Sequence, residues 1–353
     1  MSALVRDPDE TARTLERWLG QVVGLDGVEV SDVSIPASTG WSNETILFDA
    51  RWAGPSRAES HELVARIAPT SYTVFPDQTF SIQFEVMQAL SAHGGVPMAT
   101  IHWLERSAEW FGNEFWIMDR IRGDVPSDAP PYAGSGWLHD ASTDDQARAW
   151  WSGIEAMATV HRLDPSIVGP EVTTVPVRSD PLTAQLDHYE RFLTWAEDGT
   201  RHALSREALA WLRANAVAPP AQGPTLTWGD ARFSNLIYRD FEVVAILDWE
   251  MTSVADPLLD LGWWIFSDEA LTTGSGCTRL SGFPSRDETA ARWADLTGRS
   301  TDALDYYEVL AALRFTVIML RMGKLLHEIG FVDEGFAVDN LISQALAERL
   351  AAR

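Results

Sequence analysis

Residues 225–238 have the sequence TLTWGDARFSNLIY, and residues 243–250 have the sequence VVAILDWE. Both stretches contain apolar and β-branched runs, which are typical of short strands. In the first stretch Asp230 precedes Asn235 by five positions, and Arg232 stands between them. The second stretch ends its apolar run in further acidic residues. The sequence therefore predicts carboxylates and a carboxamide close together at the ends of apolar strands.

This spacing is typical of magnesium-dependent phosphoryl transfer. The protein-kinase catalytic loop places an Asp five residues before an Asn, and a second Asp on a nearby turn binds the metal. Asp230 would accept the proton of a hydroxyl group, and Asn235 and Asp248 would bind Mg²⁺ through oxygen atoms. Arg232 would bring a positive charge to the transferred phosphoryl group. Glu250 has two open roles, as a ligand of a second metal or as a hydrogen-bond acceptor for the loop.

Length, charge and cysteine content limit the classes of protein. A chain of 353 residues can form two lobes, and its single cysteine, Cys277, excludes an internal disulfide and favours a reducing compartment. The net charge of −24 argues against nucleic acid and anionic membranes as partners. It indicates either general solubility or an acidic pocket for a cationic substrate. The polar start and the charged residues in the most apolar stretch lead us to expect a soluble, cytoplasmic protein.

The order of predicted elements indicates an α+β chain with two domains. After a first helix near residues 11–19, strand patterns and one helix, residues 80–93, extend to residue 121. From residue 122 the patterns are mainly helical, interrupted by a strand pair around Leu226 and Ile246. We expect an N-terminal nucleotide-binding lobe at 1–121 and a C-terminal helical lobe at 122–353 that carries the catalytic loop and the acceptor site.

Several further segments strengthen this interpretation. Together with the two stretches above, STGWSNETILF at 38–48, FWIMDRIRGDV at 115–125 and MATVHRLD at 157–164 resemble the aminoglycoside phosphotransferase family. The closer likeness is to bacterial phosphotransferases related to the kinase-like domain of acyl-CoA dehydrogenase fusions. The resemblance covers nearly the whole chain. It implies a two-lobed, protein-kinase-like fold with a small antiparallel sheet lobe and a larger helical lobe, Mg²⁺, and ATP or GTP as co-substrate.

The resemblance also implies where the nucleotide binds. A loop would cover the phosphates, Arg66 would replace the usual strand lysine and pair with Glu85, and the hinge strand would contact the nucleotide between the lobes. The residues implied for the loop are Ser38, Thr39, Gly40, Ser42 and Asn43, and those implied for the hinge are Met118, Asp119 and Ile121.

Other conspicuous residues have structural roles in this interpretation. Trp228 stands where the family usually has His, a position that supports the loop by packing and hydrogen bonding. Asp256 and Asp260 are expected to cap a helix or brace the catalytic loop, and His161 to be a satisfied core histidine. Four tryptophans either pack in the helical lobe or line an apolar acceptor pocket, namely Trp150, Trp151, Trp263 and Trp264.

The sequence thus predicts a small-molecule kinase that transfers the γ-phosphoryl group of a nucleotide to a hydroxyl group. The acceptor would lie under two loops, Pro130–Trp137 and Thr272–Pro284. Two alternatives stay open. The acceptor could be a hydroxyacyl thioester or another metabolite rather than an aminoglycoside, or the protein could bind nucleotide or metabolite without efficient transfer. A monomer or a homodimer is expected.

Overall fold

The computed structural model describes residues 6–36, 43–53, 58–69, 73–77, 80–169, 175 and 180–353. The chain forms two compact units, one of Met1–Val74 with Ala99–Ile121 and one of Phe75–Met98 with Arg122–Arg353. The sequence placed its domain boundary after residue 121, but residues 75–98 group with the second unit. Their helix was expected in the N-terminal lobe, and the assignment of roles to the two domains stays a prediction.

The elements of the described residues are as follows. The helices are α1 (Pro8–Val23), α2 (Phe80–His93), α3 (Thr143–His161), α4 (Pro181–Glu197), α5 (Ala203–Ala214), α6 (Leu258–Leu271), α7 (Arg286–Thr297), α8 (Leu304–Glu328) and α9 (Leu341–Ala351). The strands are β1 (Glu29–Ser34), β2 (Glu44–Ala53), β3 (Ala58–Ile67), β4 (Ile101–Glu105), β5 (Phe115–Asp119), β6 (Thr225–Thr227), β7 (Leu236–Arg239), β8 (Glu242–Ile246) and β9 (Ser253–Ala255). Short 3-10 helices form at Pro165–Ile167, Phe233–Asn235 and Glu334–Ala337.

The first unit is an antiparallel sheet in the order β1-β2-β3-β5-β4, covered by α1. Alternate residues of β2 point into the core, where Ile46 and Phe48 are fully buried. Helix α1 begins at the N-cap Asp7, whose side chain accepts a hydrogen bond from the Glu10 amide at 2.8 Å. The apolar face of this helix packs on the sheet and buries Trp18, so residues far apart in sequence share one core.

The strands around the candidate site pair differently from the expected strand pair at Leu226 and Ile246. Leu226 of β6 pairs with Val254 of β9, and Ile246 of β8 pairs with Leu236 of β7. Strands β7 and β8 follow one another through a two-residue turn with positive φ at both residues, a geometry that suits a hairpin. Strand β9 has only three residues, too few to show a period-two pattern, so its pairing was missed.

Helix α8 lies at the centre of the second unit. It packs against α4, α5, α6 and α9. Most of its residues are buried, and they are distributed over all sides of the helix. Gly262 of α6 allows close approach to α8, because a Cβ atom there would come within 2.9 Å of the Tyr307 backbone. Among the helices described, none combines the length and the apolarity that crossing a membrane requires.

Candidate active site

A sharp turn brings Asp230 to the end of β6. Gly229 has φ of +96°, and a Cβ atom at this position would lie 2.1 Å from the carbonyl oxygen of Met251. Only glycine fits both the backbone conformation and this close approach. The turn therefore places the next side chain, Asp230, beside the residues that follow β8.

Three side chains orient the Asp230 carboxylate. Trp263 of α6 donates its indole N–H to Asp230 Oδ1 at 2.8 Å, and Asn235 donates Nδ2 to Oδ2 at 2.7 Å. Arg232 Nε lies 3.1 Å from Oδ1 and donates to Oδ2 at 3.2 Å. Asp230 and Asn235 are 7% and 4% exposed. The carboxylate is therefore held in one orientation while a small part of it stays accessible, as a proton acceptor requires.

Arg232 is surrounded by negative charge. Its Nη1 forms an ion pair with Asp128 of the loop before α3, in addition to the contact with Asp230. Burial would lower the pKa of the Arg232 guanidinium, but the carboxylates of Asp230, Asp128 and Asp248 outweigh burial and raise it. The guanidinium thus carries its positive charge at every accessible pH. Asp128 lies 104 residues earlier in the chain, and no sequence pattern predicted this contact.

Asn235 and Asp248 lie at the same end of the β7–β8 hairpin. Leu236 pairs with Ile246, and the Leu247 amide donates to the Asn235 carbonyl at 2.9 Å, so Asn235, just before β7, and Asp248, just after β8, are brought to the same end of the hairpin. Asp248 has φ of +52°, a conformation that Asp and Asn adopt more readily than most residues.

The chemistry of these two side chains fits magnesium. Asn235 directs its amide nitrogen to Asp230, so its side-chain oxygen is the atom that could bind a metal, and Asp248 carries a carboxylate, the other group that magnesium prefers. Within the described part of the chain, no group of three or more His, Cys, Asp or Glu side chains is arranged to hold a metal. Magnesium in phosphoryl-transfer sites needs only one or two protein ligands besides phosphate and water, so this pair is sufficient.

A buried network fixes the turn before Asp230. The Asp260 carboxylate accepts hydrogen bonds from the Trp228 amide at 2.6 Å and from the Gly229 amide at 2.8 Å. His161 Nε2 lies 2.9 Å from Asp260, and its Nδ1 accepts a hydrogen bond from the Trp293 indole at 3.0 Å. Because Nδ1 accepts, the ring proton is on Nε2 and points to Asp260. Asp260 thus braces the turn before Asp230, one of the two structural roles expected of it, and His161 is a satisfied core histidine, as predicted.

Trp228 stabilises this loop by packing and by a hydrogen bond. Its side chain is fully buried, and its indole N–H donates to the Leu247 carbonyl at 2.7 Å. The contact connects the strand before Asp230 with the strand before Asp248. The Trp that departs from the usual family residue therefore supplies packing and a hydrogen bond between the two segments. Asp256 accepts a hydrogen bond from the Leu258 amide at 2.9 Å, which caps the start of α6.

Arg314 is a buried cation that the sequence analysis did not connect with the site. It donates Nη2 to the Gly229 carbonyl at 2.9 Å and Nε to the Tyr189 hydroxyl at 3.1 Å. Its guanidinium also stacks over the Trp263 ring, 4.7 Å from the ring centroid. Helix α8 thereby supports both the turn at Gly229 and the indole that orients Asp230. The only available signal was that Arg314 is one of three charged residues that interrupt the most apolar stretch of the sequence, residues 309–326.

The two loops expected to cover the acceptor are tied to helix α6. Tyr132 of the first loop donates its hydroxyl to Asp268 Oδ1 at 2.6 Å, and Arg279 of the second loop donates Nε to Oδ2 at 2.6 Å. Burial raises the pKa of Asp268 above its usual value, an effect that the charge of Arg279 opposes. Trp150, beneath Arg279, is buried in the aromatic core of the unit.

Packing explains most of the conspicuous tryptophans. Trp150, Trp263 and Trp264 are each 1% exposed, so they belong to the core rather than to an open acceptor pocket. Trp151 is half-buried. Trp263 combines packing with the hydrogen bond to Asp230, a role that its helical spacing did not reveal.

The residues implied for the nucleotide lie in different parts of the structure. Ser38, Thr39, Gly40 and Ser42 lie outside the described residues. In the first unit Asn43 is buried, and Arg66 on β3 donates to Thr45 Oγ1 of β2 at 2.9 Å. The hinge residues Met118, Asp119 and Ile121 are half-buried.

Two acidic residues of the second unit have different surroundings. Glu85 lies on the exposed face of α2, and its pairing with Arg66 stays a prediction. Glu250 is 9% exposed and accepts a long hydrogen bond, 3.4 Å, from Gln83 of α2. Glu250 thus connects the segment after Asp248 with α2, while its role as a second metal ligand is untested.

The chain is similar to parts of two longer curated proteins. The chain is 26% identical over 251 residues to mouse (Mus musculus) acyl-CoA dehydrogenase family member 10, a match that covers 70% of this chain and 22% of the relative. It is 25% identical over 231 residues to the probable acyl-CoA dehydrogenase IBR3 of Arabidopsis thaliana, which covers 64% of this chain and 26% of the relative. The chain thus spans about a quarter of the length of these curated relatives.

Solved structures share the fold. Plasmodium vivax ethanolamine kinase superposes with a TM-score of 0.60 at 11% identity, covering 99% of this chain and 91% of that one. A thermostable mutant of the aminoglycoside phosphotransferase APH(4)-Ia, in complex with AMP-PNP and hygromycin B, gives a TM-score of 0.59 at 16% identity, covering 96% and 100%. These likenesses confirm the α+β, protein-kinase-like fold class.

The fold and the oriented Asp230 define a kinase-like phosphotransferase. The model of the phosphotransferase enzyme family matches residues 34–301. The chain belongs to this family, and the predicted resemblance and the predicted enzyme class are confirmed.

Proposed function

We propose that this protein transfers the γ-phosphoryl group of ATP, or of GTP, to a hydroxyl group of a small molecule in the cytoplasm. The observation that carries the proposal is the Asp230 carboxylate, held by Trp263 and Asn235 at 2.8 and 2.7 Å, with Asp248 following β8 at the same end of the hairpin as Asn235. Family membership supplies the reaction class. The solved complex of APH(4)-Ia with AMP-PNP supports a nucleoside triphosphate as the donor.

In the proposed reaction the acceptor hydroxyl donates its proton to Asp230 while its oxygen forms a bond to the γ-phosphorus. The bond between that phosphorus and the bridging oxygen breaks, and the nucleoside diphosphate leaves with the electron pair. Because the transition state of phosphoryl transfer is largely dissociative, the main task of Asp230 is to position the hydroxyl group. Arg232 keeps a positive charge beside this carboxylate.

Asn235 and Asp248 would hold Mg²⁺ in this proposal. When bound, the metal neutralises charge on the nucleotide phosphates. The support is the oxygen chemistry of the amide and the carboxylate, which Mg²⁺ prefers, and the adjacent places of the two residues at the end of the β7–β8 hairpin. For the nucleotide itself we retain the predicted set, which is Ser38, Thr39, Gly40, Ser42, Asn43, Arg66, Glu85, Met118, Asp119 and Ile121.

Two acceptor classes are supported by different observations. The net charge of −24 and the hygromycin B complex of APH(4)-Ia favour a cationic aminoglycoside. The matches to acyl-CoA dehydrogenase family members favour a hydroxyacyl thioester. Release of nucleoside diphosphate, measured with aminoglycosides, ethanolamine and hydroxyacyl-CoA species in parallel, separates these classes. Stimulation by none of a broad set of hydroxyl compounds would favour the alternative of a binding protein without transferase activity.

The role of Asp230 is tested by substitution. Asp230→Asn keeps the shape of the side chain and removes its charge, so turnover should fall by about 10²–10⁴-fold, the usual contribution of a general base. Nucleotide affinity should change little. Asp240→Asn, in the exposed turn between β7 and β8, is the matched control and should retain normal turnover. An Asp230→Asn enzyme that turns over normally contradicts the proposed mechanism.

A further inference from the structure

Arg232 is shared between two carboxylates from distant segments. Its Nε contacts Asp230, and its Nη1 contacts Asp128, which belongs to the loop before α3. The guanidinium is a planar fork that can bind one carboxylate through two nitrogens. Here the fork is divided, because Asp128 occupies Nη1 and leaves Nε for Asp230.

The loop that carries Asp128 is anchored independently of Arg232. The backbones of Asp124 and Tyr238 exchange two hydrogen bonds of 2.8 Å, which fixes the loop to strand β7. Within the loop the Tyr132 amide donates to the Ser127 carbonyl at 2.7 Å, and the Tyr132 hydroxyl binds Asp268. Contacts on both sides therefore hold Asp128 in place, so it can determine where Arg232 lies.

The contact between Asp128 and Arg232 affects how Arg232 binds Asp230, the proposed base. Without Asp128, the nearest partners of the guanidinium would be Asp230 and Asp248, and Arg232 could turn both of its donor nitrogens onto Asp230. Such a fork would compete with the acceptor hydroxyl for the oxygens of the base. A neutral residue at position 128 would also strengthen the pairing of Arg232 with Asp230, because the attraction would no longer be shared.

We infer that Asp128 is a positioning residue that acts through Arg232 to set the orientation of Asp230 and to link the loop before α3 to the base. The inference rests on the proposed function for its kinetic consequence, while the contact itself is independent of that function. Asp128 does not contact the reacting atoms in this inference. Its effect should therefore appear in turnover rather than in nucleotide affinity.

The kinetic experiment is a double-mutant cycle. Asp128→Asn should lower kcat by about tenfold with the nucleotide KM within about twofold of the wild-type value, since coupling between members of one network commonly has this size. Asp128→Glu restores the charge and should recover part of the loss. In an Arg232→Gln background, Asp128→Asn should change kcat by less than about twofold. Asp140→Asn, an exposed carboxylate of the same loop, is the control and should retain the wild-type kcat.

Unchanged kcat in Asp128→Asn, or a full loss that persists in the Arg232→Gln background, overturns the inference. A second measurement does not depend on activity. The ¹H–¹⁵N signal of Arg232 Nε, assigned by its loss in Arg232→Gln, should shift in Asp128→Asn and stay in place in Asp140→Asn. If no acceptor supports transfer in the wild-type protein, the proposed function fails, and this signal still decides the contact. An unmoved Arg232 signal in Asp128→Asn refutes the contact between Arg232 and Asp128.

Discussion

The indole N–H of Trp263 donates a hydrogen bond of 2.8 Å to Asp230 Oδ1, so helix α6 orients a carboxylate 33 residues earlier in the chain. The same indole lies under the guanidinium of Arg314, which also holds the Gly229 carbonyl. The orientation of Asp230 is therefore determined by the packing of α6 against α8 as well as by its own loop.

Trp263→Phe should test this orientation. The substitution keeps an aromatic ring and removes the donor, so we expect turnover to fall by about tenfold or more, because hydrogen bonds to charged groups are among the stronger ones. Nucleotide affinity should be preserved. The adjacent Trp264 is a matched control, since it is equally buried and its indole nitrogen has no hydrogen-bond partner among the described residues. Trp264→Phe should cost stability without lowering kcat, and equal kcat losses in both variants would argue against a specific role of Trp263.

Asp248 should make nucleotide binding dependent on magnesium. Calorimetric titration of an ATP analogue with Mg²⁺ and with EDTA should give clearly weaker binding in EDTA for the wild-type protein. Asp248→Asn is the suitable variant, because Asn tolerates the φ of +52° at this position better than Ala does. In that variant the affinity in Mg²⁺ should approach the affinity in EDTA. A wild-type protein that binds equally in both conditions would contradict the assignment of Asp248 to the metal.

Gly229→Ala should be strongly destabilising. The new Cβ atom would lie 2.1 Å from the Met251 carbonyl oxygen, and the backbone would keep an unfavourable positive φ. Gly136 has a similar φ, +98°, but a Cβ atom there would meet nothing within 4 Å. Gly136→Ala should therefore cost only the conformational strain, of about 1–3 kcal/mol. Chemical denaturation of the two variants separates the clash from the strain, and equal losses of stability would show that the turn at Gly229 can relax.

His188 of α4 should make stability depend on pH. Burial lowers its pKa from 6.5 to about 4, with Arg191 and Arg314 acting in the same direction and Asp77 opposing them. The unfolded chain then binds a proton that the folded protein excludes, so the folded state loses stability as pH falls from about 6.5 towards 4. The expected loss over this window is up to about 3 kcal/mol, from 1.36 kcal/mol for each pH unit.

Urea unfolding at several pH values between 7 and 4 measures this effect. His188→Phe removes the titrating group, so the dependence on pH over this window should be smaller than in the wild-type protein. His139→Gln, which changes a more exposed histidine, should leave the dependence unchanged. A wild-type slope retained in His188→Phe would assign the pH dependence to other groups.

Features that depend on local spacing could be predicted from the sequence. Strand patterns predicted a β-rich region before residue 121, and the five-residue interval predicted that Asp230 and Asn235 come together. These signals are local because covalent geometry fixes which side chains share a strand face or a short loop. The sequence also predicted a structural role for Asp260, as a helix cap or a brace of the loop, and a satisfied core position for His161 at the end of a helix.

Contacts between distant segments could be identified only in the folded chain. Arg232 binds Asp128 across 104 residues, Trp263 reaches back to Asp230, and Leu226 pairs with Val254 of a strand too short for a pattern. No repeating pattern in the sequence marks these pairs. The two members of each pair are brought together by the burial of apolar helices and loops around α6 and α8. Burial is non-directional, and it leaves the choice of polar partners to the geometry of the packed core.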